Sequence, residues 1–233
     1  MDAAAARHVG ARLLGEVEEE SLEELLTSLR SDLLTTDHRN PEIPFPELTS
    51  IIGRYQRATQ SAPPPLCSVS GRYLPFLYHL VSTLIAAPNN YVVVIIDTEA
   101  KFDVTRLLGN NSESSTTHPA TIPDLKHVHI YQPGRGQDQV QRILARLPQF
   151  MFYGRHESLA REWWGTIVIG GIGGDVNAGW KGWLKVERES VSGFAPGVSV
   201  EEALRDREKR QRAVEGAGWA AGSRWGGFAW EEG

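Results

Sequence analysis

Tyr91-Val-Val-Val-Ile-Ile96 is the stretch that most narrows what this chain can fold into. An unbroken run of β-branched and aromatic residues without a charge reads as a strand covered on both faces, as the central strands of parallel sheets are. It ends in Asp97-Thr98-Glu99, which sets two carboxylates and a hydroxyl at the carboxyl edge of a sheet. In open α/β folds that edge is where ligands dock. Phe102, Thr105, Arg106 and Leu108 then have the spacing of a short helix packing back on the sheet. The plainer reading is a core strand followed by an acidic helix start.

The flanking segments alternate in the same sense. Leu66–Val69 is a brief strand candidate, Tyr73–Ala87 a helix with Leu77, Leu80, Val81 and Leu84 on its buried face, and Pro88 its stop. His127–Tyr131 is a strand, Gln137–Phe152 a helix with Val140, Ile143, Leu144 and Leu147 inward, and Gly165–Ile169 a further strand. Strand, helix, strand in this order implies parallel pairing. Ahead of this core, residues 1–36 read as two short helices with acidic outer faces, the second opened by the capping box Ser21-Leu-Glu-Glu24. Residues 37–65 hold Pro41, Pro44, Pro46 and Pro63-Pro64-Pro65, and read as a linker with one short helix at most. Residues 66–215 form the expected core, with a loop over 177–196 and a charged helix over 200–214. The tail, 216–233, alternates Gly and Ala with Trp219, Trp225, Phe228 and Trp230, and is expected to be disordered or partner-bound.

A net charge of −5 excludes a global basic field for nucleic acid, so any such contact is a local patch. Cys67 is the only cysteine, which excludes an internal disulfide framework and a cysteine-based metal site and fits a reducing compartment. The first twenty residues lack the apolar core of a signal peptide and no run approaches a membrane span, so a cytosolic or nuclear protein without membrane contact is expected.

Four places carry candidate chemistry. At the turn before the Tyr73 helix, Gly71-Arg72-Tyr73 stands where a phosphate-binding loop needs glycine, lysine and a magnesium-holding hydroxyl. Either register loses one group that the chemistry requires. Glu99, at a strand end, has the position of a carboxylate that orients an attacking water, or of a plain capping carboxylate. Thr166–Ile169 is an apolar run, but Gly170 stands where a magnesium-holding acid would follow it, and Asp175 comes five residues late. Finally Trp180-Lys181-Gly-Trp183-Leu-Lys185-Val-Glu-Arg188 interleaves aromatics and cations, the composition of a single-strand nucleic-acid contact or of a loop packing its tryptophans. His127 and His129 share a strand face with no ligand partners at metal spacing and read as structural; no metal site is expected.

Ile96-Asp97-Thr98-Glu99 followed by Phe102-Asp103-Val-Thr-Arg106-Leu107, with Leu77-Tyr78-His79-Leu80 before it and Leu13-Leu14 near the start, resembles the RecA-like recombinase paralogues of homologous recombination. Within them the chain looks most like the X-ray-repair-cross-complementing-two type and its fungal counterparts in Shu-type complexes. The resemblance runs over roughly residues 10–190, and only Asp97–Leu107 is specific. It implies a RecA-like P-loop core, a mostly parallel sheet flanked by helices, with degenerate Walker motifs: Gly71, Arg72 and Tyr73 in the Walker A position, Gly170 in place of the Walker B acid, and Glu99 at the water-activating position. Residues 172–195 follow where the family's first DNA-binding loop emerges, making Lys181, Trp183, Lys185 and Arg188 DNA-binding candidates. The tail does not resemble the family's further strands, so a truncated or diverged C-terminal side is expected. The implied function is a non-catalytic nuclear subunit, without cofactor, of a hetero-oligomer with another recombinase paralogue or Shu-type subunit. It would assist recombinase filaments on single-stranded DNA during repair. Residual ATP and magnesium binding stays open, as does a DNA-dependent ATPase using Arg72 and Glu99. A dinucleotide- or methyl-donor-binding module ranks last, because the glycine fingerprint after the first strand is missing.

Overall fold

The structure is a computed structural model that describes residues 43–60, 65–108, 119–134, 136–189 and 216–230, with single positions between 199 and 212. The helices expected within 1–36 lie outside the described residues. The chain order is α1 (Pro46–Thr59), β1 (Cys67–Gly71), α2 (Tyr73–Ile85), β2 (Val92–Asp97), 3-10 turns at Val104–Leu108 and Ile122–His127, β3 (Val128–Tyr131), α3 (Gln137–Tyr153), β4 (Trp163–Ile169), β5 (Val176–Ala178), β6 (Leu184–Arg188), β7 (Trp219–Ser223) and β8 (Gly226–Trp230). The strands make one eight-stranded sheet in the order β3-β2-β4-β5-β1-β6-β7-β8. Pairs from β3 through β6 are parallel, and β7 and β8 add antiparallel to β6. This is an α/β fold with a mostly parallel sheet.

β2 is buried along its whole length because both of its faces are covered. Val93 and Ile95 join Phe76, Leu77, Leu80 and Leu84 of α2 in the larger apolar cluster, while Val92, Val94 and Ile96 pack with Val140, Leu147 and Met151 of α3. Successive side chains on a strand point to opposite faces, so a run apolar at every position needs a helix on each side. Over β1, β5 and β6 the second face turns polar, with Ser68, Ser70, Asn177, Lys185 and Glu187 on it, and no helix is needed there.

Three expectations are corrected here. The proline-rich linker holds a fourteen-residue helix, α1, whose Leu48, Ile51 and Ile52 are buried. Pro46 occupies its first turn, where a missing N–H costs nothing. The loop expected over 177–196 contains β5 and β6, which flank β1 on its two sides. The tail is a hairpin rather than a free peptide: Trp219 pairs with Trp230 and Ser223 with Gly226, around a two-residue turn at Arg224 and Trp225. Phe228 and Trp230 pack on Phe76 at ring distances of 6.3 and 5.8 Å, so the sheet continues past the point where it was expected to stop.

His79 lies between Phe45 (4.8 Å) and Trp230 (5.9 Å), stacked with both. Burial lowers it from 6.5 to about 4. Burial is also the leading cause that lowers His127 and His129, which share the buried Ser158 hydroxyl at 3.0 and 3.1 Å. Folded-state values below the unfolded one mean that the fold holds neutral imidazoles. Their contribution is complete above pH 6.5 and is lost as pH falls toward 4. A urea midpoint flat from pH 8 to 7 and falling below 6.5 is expected. His79 alone accounts for up to about 3 kcal/mol, and His79→Phe is expected to remove that share of the acid sensitivity.

Candidate functional site

The carboxyl edge of the parallel strands brings together three of the residues singled out in the sequence: Tyr73, Glu99 and Gly170. The Tyr73 hydroxyl, from the first turn of α2, donates to Glu99 Oε2 at 2.8 Å. Lys101 Nζ lies 2.7 Å from the same oxygen. Burial first, and then the bond to Glu99, push the Tyr73 phenol up, so it remains a donor. Lys101 is a member of this group that the sequence reading missed; its only signal was its place two residues beyond Glu99.

The loop from β2 is fixed by Asp97. Its side chain is fully buried, with Oδ1 accepting the Glu99 N–H at 3.0 Å and Oδ2 the Phe102 N–H at 2.7 Å. A buried carboxylate is tolerated when backbone donors meet it. Thr98 ties the same loop to β4, its hydroxyl donating to the Ile169 carbonyl at 2.9 Å. Phe102 stacks tilted on Tyr78 at 5.0 Å, the Tyr78 hydroxyl accepts the Asp103 N–H at 3.2 Å, and Leu107 is buried. Asp103 Oδ1 caps the following 3-10 turn by accepting from both the N–H and the hydroxyl of Thr105. Asp97, Thr98, Phe102, Asp103 and Leu107 of this block together hold the loop in place.

Phosphate binding at β1 needs a loop of free amides. Here β1 passes into α2 through a single residue, Arg72, whose N–H donates to the Val186 carbonyl at 2.9 Å. Cys67–Val69 pair with β5 on one side and Val69–Gly71 with β6 on the other. Gly71 has φ +79°, and a Cβ there would meet the Val186 carbonyl oxygen at 2.5 Å. Its glycine therefore serves strand packing. At Gly170, φ is +74°, and a Cβ would meet Thr98 Oγ1 at 2.5 Å and Glu99 Cγ at 2.6 Å. The place an acidic side chain would need is filled by Thr98 and Glu99. Asp175 accepts the Thr166 N–H on Oδ2 at 2.7 Å, holding the return from β4 to β5.

The four DNA-contact candidates each have a neighbour within the fold. The Trp183 ring stacks on Tyr55 at 4.5 Å and meets Trp225 edge-on at 5.7 Å. Lys185 pairs with Glu187, and Arg188 donates to the Ala217 carbonyl and lies over the Trp219 ring. Lys181 projects beside the exposed indole of Trp180, 4.0 Å from its centroid. Among the described residues, no group of three or more His, Cys, Asp and Glu side chains is placed to hold a metal ion, and no helix is long and apolar enough to cross a membrane.

Placing an acid at Gly170 is expected to cost stability rather than to create a metal site. Gly170→Asp forces a side chain into occupied space at a positive φ, a loss of about 2 kcal/mol or more, visible as a lower thermal midpoint unchanged by magnesium. Scans against protein-family models, curated proteins and solved structures returned no match for this chain.

Proposed function

We propose that the chain is a non-catalytic, RecA-like subunit of a recombinase-paralogue complex, acting in the nucleus in homologous-recombination repair and helping recombinase filaments assemble on single-stranded DNA. The observation that carries the non-catalytic part is the Tyr73–Glu99 hydrogen bond across a one-residue β1–α2 connection. A water-activating carboxylate must be free to take a proton, and a phosphate needs unpaired amides beside it. Here the carboxylate already accepts from a phenol and a lysine, and the strand amides belong to the sheet.

The partner reading draws support from the β3 end of the sheet. Among the described residues β3 pairs with β2 alone, so its outer edge is open within them. Beside it runs a groove of about 340 Å³ lined by Tyr131, Arg142, Ile143, Arg146, Leu147 and Phe150. An open edge next to an apolar groove suits an extended segment of a second subunit. Within the fold, part of the proline-rich segment forms α1 and part of the aromatic tail forms the β7–β8 hairpin.

Co-expression with a candidate recombinase paralogue tests the reading. Co-purification is expected with the wild type and is expected to be lost in Arg142→Glu/Arg146→Glu, whose exposed positions leave folding intact. A fluorescent ATP analogue is expected to give no saturable magnesium-dependent binding. Micromolar affinity abolished by Arg72→Ala would replace this reading with the hydrolase one.

A further inference from the structure

β8 closes the other end of the sheet, and among the described residues it pairs with β7 alone. The Glu189 N–H donates to the Gly218 carbonyl at 3.0 Å, on the β6 side of β7. Backbone groups alternate sides along an antiparallel ladder. Those of Trp219, Ala221 and Ser223 therefore turn to β8, where they meet Trp230, Phe228 and Gly226. The same alternation turns the N–H and C=O of Gly227 and Ala229 outward. Both residues are exposed, and among the described residues no hydrogen bond reaches either from beyond the sheet.

Natural sheets blunt such an edge with charge, proline or a bulge, and Gly226–Trp230 carries none of these. Size and charge decide which strand fits it. An antiparallel copy of β8 centred on Phe228 sets Gly227 level with Ala229 of the second copy, and their outward groups exchange both hydrogen bonds. The same register sets Trp230 against Gly226, so each large ring meets a residue without a side chain. The exposed Arg224 of the turn then comes level with position 232, a glutamate that follows Glu231 in the sequence. Opposite charges facing each other support a register. Sliding one copy by two residues loses this match. In one direction Trp230 meets Phe228, and in the other Arg224 moves away from Glu232. A copy of this chain thus meets the size and the charge requirement together.

We propose that β8 pairs antiparallel with β8 of a second copy, about a two-fold axis at Phe228, and joins the two sheets into one. The same patch serves on both copies, so the contact closes on itself and gives a dimer rather than a fibre. The β3 edge stays open for the partner proposed above.

Sedimentation equilibrium of the full chain tests it, and a concentration-dependent dimer is expected. Ala229→Pro removes an outward N–H and nothing from the β7 ladder, a change that edge strands tolerate. It is expected to weaken the dimer about thirty-fold, for one hydrogen bond lost per copy, with the circular dichroism of the monomer unchanged. Arg224→Glu is expected to weaken it about five-fold, and Arg224→Glu/Glu232→Arg to restore it. A wild type still monomeric at about 100 μM overturns the inference. So does a dimer that Ala229→Pro leaves unmoved, or a charge swap that restores nothing. Species growing beyond a dimer overturn it too, since they place β8 against β3 of the next copy. Arg142→Glu/Arg146→Glu is expected to leave the dimer intact, so this proposal and the partner reading fail separately.

Discussion

Asp97 is the residue on which the functional edge of this fold depends. It ends β2, a strand buried on both faces, and its carboxylate has no exposure to water. Two backbone N–H groups from the next five residues supply its hydrogen bonds. That requirement draws the chain into a tight loop instead of letting it run out from the sheet. The loop in turn delivers Thr98 to β4, Glu99 to Tyr73 and Phe102 to Tyr78. Removing the carboxylate would leave donors stranded in an apolar setting, so the position is constrained whether or not the edge does any chemistry.

This separates two kinds of residue that a motif mixes. Phe102, Asp103 and Leu107 hold a loop against α2. Gly71, Tyr73 and Gly170 lie beside that loop or at the end of β1, and each is tied to its neighbours there. Gly71 lets β6 approach β1, and Gly170 makes room for Thr98 and Glu99.

The elements legible in the sequence were those whose burial leaves a periodic trace. β2 and β4 are continuous apolar runs, and α2 and α3 carry apolar stripes, so their places were readable to within a residue or two. β5 and β6 were not, because β5 is three residues long and joins β4 and β6 through connections of six and five residues. Parallel neighbours ordinarily need a longer crossover, usually a helix, and none marks the sequence here. The hairpin was hidden by its small residues: Trp219 and Ala221, then Gly226, Phe228 and Trp230, do alternate inward, but glycine and alanine weaken the pattern. At the site, Tyr73 was legible as a misfit in a phosphate loop. Its bond to Glu99, twenty-six residues away, is a tertiary fact that spacing does not encode.

The placing of β1 between β5 and β6 also bears on how the chain assembles. Val69 lies level with Ala178 on one side and Leu184 on the other, and the joining loop crosses the strand so closely that Gly182 packs on the Ser68–Val69 backbone. During synthesis β1 leaves the ribosome more than a hundred residues before either neighbour exists. Until then both of its edges are bare, a state that invites mispairing. The centre of the sheet is therefore among the last parts to close, and the time spent waiting is a kinetic burden set by topology.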